Sequence, residues 1–147
     1  MRFNGEWLHG DDGIVRPILR AEILSGNDGW HAFELLVDTG ADRTVISANV
    51  LESLNLPTIQ PLAQIAGVGG AVRSVLVETQ IRWLRDDGNL VTFRGQYSAC
   101  LDYESLDMSV LGRDILDMFT LIVDRRSKVL AILGGQHHYT IVQQSSS

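Results

Sequence analysis

An aspartate that closes an apolar strand is the residue in this sequence best placed to do chemistry. Residues 33–47 read FELLVDTGADRTVIS: Phe33, Leu35, Leu36 and Val37 lead into Asp38, Thr39, Gly40 and Ala41, and the β-branched run Thr44, Val45 and Ile46 follows at once. A buried strand that ends in an acid and turns on Thr-Gly holds that acid in place, because glycine permits a close backbone approach that a bulkier residue would block. Rigid placement of a carboxylate is what acid–base catalysis requires. A lone carboxylate of pKa ~4 is ionised between about pH 5 and 7, and it cannot both activate a water and protonate a leaving amine. Such chemistry calls for a second acid.

The chain contains no second copy of the motif. Asp11-Asp12-Gly13, Asn27-Asp28-Gly29 and Asp86-Asp87-Gly88-Asn89 lack the leading apolar pair and the threonine, and they read as hairpin turns in which Asp-Gly or Asn-Gly supplies a positive φ. The glycine-rich segment 65–72, IAGVGGAV, fails as a phosphate loop, since it has no Gly-Lys-[Ser/Thr] ending and leads into a strand. It works as a hairpin tip that opens and presents backbone amides to a peptide. His31, His137 and His138, with Asp124, lack metal-ligand spacing and no cysteine joins them, so neither a metal nor another cofactor is expected. No serine stands in a nucleophile elbow. Trp30, Trp83 and Tyr97 read as core or interface aromatics.

The stretch from Leu36 to Val45 resembles the active-site motif of the aspartic proteases, in the retroviral (retropepsin-like) form. Two further segments match in the family's order: 65–72 resembles the flap, and residues 110–116, VLGRDIL, resemble the apolar-apolar-Gly-Arg-Asp signature before the family's short helix. The resemblance covers roughly the central two-thirds of the chain. It implies a closed antiparallel β barrel of the acid protease type with one or two short helices. It also implies an aspartic endopeptidase in which two carboxylates about 3 Å apart share one proton, the established behaviour of aspartic protease dyads.

With one motif per chain, the second acid must be Asp38 of another copy, so the expected partners are a second copy of the chain and a peptide or protein substrate. By the same resemblance Thr39 hydrogen-bonds across the twofold axis, and Gly40 lies against the substrate backbone. Ala41 and Asp42 complete the loop, and Arg113 anchors Asp42 in a buried ion pair. Ala66, Gly67, Val68, Gly69 and Gly70 form the flap. The alternative is a non-catalytic peptide-binding or dimerisation module on the same fold; retention of both Asp38 and Gly40 weighs against it.

The elements that must position these residues follow from the pattern of the chain. At 147 residues it suits one domain and is too short for two lobes. Residues 1–13 form a polar, turn-rich N-terminal arm, frayed or added as an edge strand, with Trp7 and Leu8 as its large apolar pair. The domain proper spans 14–142, and 143–147 is expected to be a disordered tail. Strand-like runs cover 14–24, 30–37, 71–84 and 90–100, and Pro17 confines its strand to an edge or a bulge. Helices are expected over 47–56, with Ser47 as N-cap, and over 113–118. A hairpin spans 119–133, and 137–142 adds a final strand. So many strands with one or two short helices argue for a mostly antiparallel β barrel or sandwich.

A net charge of −6 with scattered basic residues excludes a nucleic-acid footprint. Arg125, Arg126 and Lys128, the one basic cluster, read as a solvated hairpin tip. Cys100 is the only cysteine, so no internal disulfide forms, and it reads as a small core residue. No apolar run approaches the ~20 residues of a membrane span, and the N-terminus lacks a signal pattern. A soluble cytoplasmic protein is the default expectation.

Overall fold

Period-two alternation builds most of the molecule. In the longest strand, Val75, Val77, Thr79, Ile81 and Trp83 point inward and are buried, while the residues between them face outward. The computed structural model describes the backbone of residues 1–67 and 70–144 and the side chains of residues 1–59 and 73–144. Its strands, in chain order, are β1 (Arg2–Asn4), β2 (Glu6–His9), β3 (Val15–Leu24), β4 (Trp30–Val37) and β5 (Val45–Ile46). They continue with β6 (Thr58–Gly67), β7 (Gly70–Leu84), β8 (Leu90–Cys100), β9 (Ser109–Leu111), β10 (Thr120–Asp124) and β11 (Val129–Leu133). Two short helices complete the chain, α1 (Ala48–Leu54) and α2 (Arg113–Leu116).

The expected mostly-β class holds. One sheet runs β2-β3-β4-β9-β5-β8-β7-β6, and a second, smaller sheet runs β1-β11-β10. β3 also pairs with β7, Glu22 opposite Arg82 and Ile23 opposite Ile81, so the ladder from β3 through β4, β9, β5, β8 and β7 returns to β3. Arg82 marks that seam, bonding Glu22 at 2.9 Å and stacking over Trp30 at 3.8 Å. Most neighbouring strands pair antiparallel, as expected, and two pairs, β4–β9 and β5–β8, are parallel. Parallel neighbours need long crossovers, and here both link strands far apart in sequence around the Asp38 loop.

The first thirteen residues are woven into the body. β1 pairs with β11 and β2 with β3, both as edge strands. Phe3 is fully buried. Its ring meets Trp83 edge-on at 5.8 Å and Phe119 at 5.7 Å, so it joins the two sheets. Pro17 sits opposite Trp7 of β2, one residue before β4 joins β3 at Ile18.

Ser47 does stand at the N-cap of α1, but its side chain makes no capping bond. Its amide instead donates to Ser109 Oγ at 2.9 Å. Asn55, left-handed at φ 52°, ends the helix before Pro57. Positive φ falls on Gly13, Asp28 and Gly88 in the three acid-rich turns, on Asp28 rather than Gly29 in the second.

The expected strand over 137–142 does not form. That stretch is held by side chains, with the His137 ring 3.2 Å from Gly134 O and Tyr139 Oη donating to Thr120 Oγ1 at 3.1 Å. Without a backbone ladder, Tyr139, Ile141 and Val142 stay exposed. Of the expected disordered tail, residues 145–147 lie outside the described residues.

Candidate active site

Asp38 follows the last residue of β4, where parallel pairing with β9 ends at Val37 opposite Leu111. Its amide continues the ladder by donating to Leu111 O at 3.1 Å. The chain then turns: Ala41 N donates to Asp38 O at 3.2 Å, and Gly40 N donates to the carboxylate itself, Asp38 Oδ1, at 2.9 Å. A Cβ on residue 40 would stand 3.2 Å from that oxygen, which gives the glycine its place in the motif. The second oxygen, Oδ2, has no hydrogen bond among the described residues. Asp38 is half-buried, and Thr39 and Gly40 are exposed.

The loop is clamped from one side by the start of α2. Arg113 N donates to Ala41 O at 2.8 Å and Asp114 N to Asp42 O at 3.2 Å. The Arg113 guanidinium donates from Nη1 to Thr39 O at 3.1 Å and from Nη2 to Asp42 Oδ1. Arg113 and Asp42 therefore pair as the resemblance implied, but the pair is not buried. The two side chains are 44% and 82% exposed, because both lie on the outer surface of the loop.

A second, inner clamp escaped the sequence reading. Thr44 is fully buried, and Asp114 Oδ1 accepts from its amide at 2.9 Å and its hydroxyl at 2.7 Å. Thr44 Oγ1 in turn accepts from Gly112 N at 3.1 Å, and Ile115 N donates to Asp114 Oδ1 at 3.0 Å. Gly112 packs so closely that a Cβ there would fall 2.3 Å from the Arg43 carbonyl carbon and 2.8 Å from Thr44 N. The available signal was a lone hydroxyl within a β-branched buried run, because a buried hydroxyl must find a partner.

The expected flap residues are only partly described. The backbone pairs Ala66 with Ala71 and Gly67 with Gly70 across the β6–β7 hairpin, while Val68 and Gly69 lie outside the described residues. Of the histidines weighed as ligands, His31 lies on β4 and His137 stacks on Tyr139 at 6.2 Å between ring centres. Beside the Asp38 strand lies an open hollow of about 280 Å³, lined by Arg16, Leu36 and residues 104–108. A neighbouring hollow of about 400 Å³ lies further along the same hairpin, over Ala21 and Ala32.

Comparison with known proteins identifies the family and the fold. The retroviral aspartyl protease family matches residues 14–123. EIAV protease, solved in complex with the inhibitor HBY-793, is 25% identical, with 69% of this chain and 86% of that chain covered at a TM-score of 0.52. A retropepsin-like aspartic protease from Rickettsia conorii shares the fold at 16% identity and a TM-score of 0.54, covering 89% of this chain and 98% of that one. No curated protein matches the sequence. With the family model matching residues 14–123, three-quarters of the chain, the protein belongs to the retroviral aspartyl protease family.

Proposed function

We propose that the protein is a homodimeric aspartic endopeptidase acting on extended, largely apolar peptide segments, with Asp38 of each copy supplying one half of the dyad. The observation that carries this reading is the Asp38 carboxylate itself, held by the Gly40 amide on a loop bonded along its length to α2. Each chain offers one such acid, so a second copy completes the site. Exposed Met118, just after α2, and Ile122 and Val123 on β10 supply apolar surface that a second copy can cover.

In the dimer the paired carboxylates share a proton. The ionised Asp38 takes a proton from a water as its oxygen attacks the peptide carbonyl carbon, while the protonated Asp38 donates to the carbonyl oxygen. The resulting tetrahedral diol collapses as its C–N bond breaks. A proton passes to the leaving amine, giving one new carboxyl and one new amine with no covalent enzyme intermediate. The amides of Gly40 and the interlocked α2 hold the acid before the substrate arrives, which is where such a site gains rate.

The test is cleavage of a mixed peptide library between about pH 3.5 and 7, with and without pepstatin, by wild type and Asp38→Asn, with oligomeric state measured by sedimentation. A dimer whose cleavage is lost in Asp38→Asn is expected, with inhibition by pepstatin as support. Cleavage at the wild-type rate by the variant would end the catalytic reading. A monomer at micromolar concentration that binds peptides without cutting them would favour the binding module.

A further inference from the structure

We propose that the hollow beside the strand leading to Asp38 is a side-chain subsite selecting a cationic residue, lysine or arginine, close to the scissile bond. The inference rests on the catalytic reading above and adds which side chain the cleft takes. Leu36, two residues before Asp38, lies on the face of β4 opposite the buried Leu35 and Val37. Leu36, Leu106 and Met108 give the hollow an apolar floor, and its volume of about 280 Å³ accommodates one long side chain.

The rim carries Glu104, Asp107 and Arg16. Arg16 is already engaged, since its two terminal nitrogens donate to the Asp12 carboxylate at 2.6 and 3.1 Å. That bond holds the Asp12 carboxyl down at about 2, so the pair stays ionised through the working range of an acid protease. Glu104 and Asp107 form no ion pair among the described residues, and Asp107 reaches Arg16 only as a through-space charge. The mouth of the hollow therefore carries net negative charge above an apolar floor. A lysine or arginine matches both, its methylenes lying on Leu36, Leu106 and Met108 and its charged head reaching the rim.

The loop that carries the rim is anchored at both ends. Arg73 bonds Asp102 at 2.7 Å and Leu101 N donates to Arg73 O at 3.1 Å at its start. Ser109 Oγ accepts from Ser47 N at 2.9 Å at its end. Rigid placement lowers the ordering cost of binding.

The test uses the full chain carrying Asp38→Asn, so that binding is read without turnover. Its ligands are extended apolar peptides in which a single lysine or norleucine is scanned through each position, and wild-type cleavage of the same peptides is measured alongside. At one position the lysine peptide is expected to bind about fivefold tighter than its norleucine twin in dilute buffer. The ratio should fall toward one near 1 M salt, and it should be close to one at low salt in Glu104→Gln/Asp107→Asn. Wild-type kcat/KM should show the same preference. Equal affinity of the two peptide sets at every position overturns the subsite, as does a lysine preference that survives the double substitution. Lysine-selective binding without any wild-type cleavage overturns the catalytic reading alone, whereas cleavage without lysine preference overturns the subsite alone. Should the double variant fail to fold, the salt titration of the otherwise unaltered Asp38→Asn chain decides, and a salt-independent ratio counts against the proposal.

Discussion

Arg113 and Asp114 are adjacent residues of α2, yet they hold the same Asp38 loop in opposite ways. Arg113 works on the outside, bridging Thr39 O and the Asp42 carboxylate with both partners open to solvent. Asp114 works on the inside, closing a network with the buried Thr44 and the amide of Gly112. Exposed ion pairs contribute about 0–1 kcal/mol, while a hydrogen-bonded network around a buried group costs much more to break. The inner clamp is therefore the source of stability, and the outer one tunes where the loop lies.

The sharpest way to break this contrast is Gly112→Ala. The new methyl would collide with backbone atoms of Arg43 and Thr44, which cannot swing aside as a side chain does. A loss of about 3 kcal/mol is expected in denaturant unfolding, and a variant as stable as wild type would show that the inner clamp has slack. Thr44→Val comes next. It keeps the shape and removes the hydroxyl, stranding the Gly112 amide, so roughly 1–3 kcal/mol should be lost; a change below the error of the melt would remove the network's claim to stability.

A pH experiment reads the burial of Tyr97 near the inner clamp, to which the Asp114 charge adds only secondarily. Burial, and secondarily the Asp114 charge, push the Tyr97 phenol up to about 12 from its ordinary 10. Because the folded value is the higher one, the protonated form is favoured by folding. The stabilisation is complete below pH 10 and disappears as pH rises from 10 through 12. Wild type should thus lose stability more steeply over that interval than Tyr97→Phe, and parallel curves would contradict the assignment. Smallest of all in stability is Arg113→Lys. One ammonium cannot fork between Thr39 O and Asp42, so unfolding should shift by under about 1 kcal/mol while kcat/KM falls about tenfold through misplacement of the loop. Stability and activity falling in proportion would erase the distinction between the clamps.

Much of this was legible in advance where a local pattern carried it. The strand over 90–100 emerged with the same bounds as β8 because its turn residues and apolar alternation are contained within the segment. The Asp38 turn was legible because Gly40 and the flanking apolar runs are contiguous with it. Phe3 was not, since three residues of a polar arm carry no period, and only the meeting of two sheets around Trp83 and Phe119 gives that ring its buried place. The segment 137–142 failed in the other direction. Its β-forming residues found no ladder, and strand propensity without a paired edge is not a strand.

The sequence by itself singled out the candidate acid: one carboxylate, at the end of an apolar strand, before a Thr-Gly turn. It also determined the mostly-β class, because alternation and turn chemistry are local properties of the chain. Tertiary structure alone decided what holds that carboxylate in place. Thr44 and Asp114 are 70 residues apart in sequence and meet only because β4 and β9 run parallel, carrying the Asp38 loop and α2 to the same edge. Tertiary structure likewise decided that the Arg113–Asp42 pair is exposed and that Glu104 and Asp107 share a hollow with Leu36. Burial and proximity between distant segments belong to the packed sheet, and no window of sequence contains them.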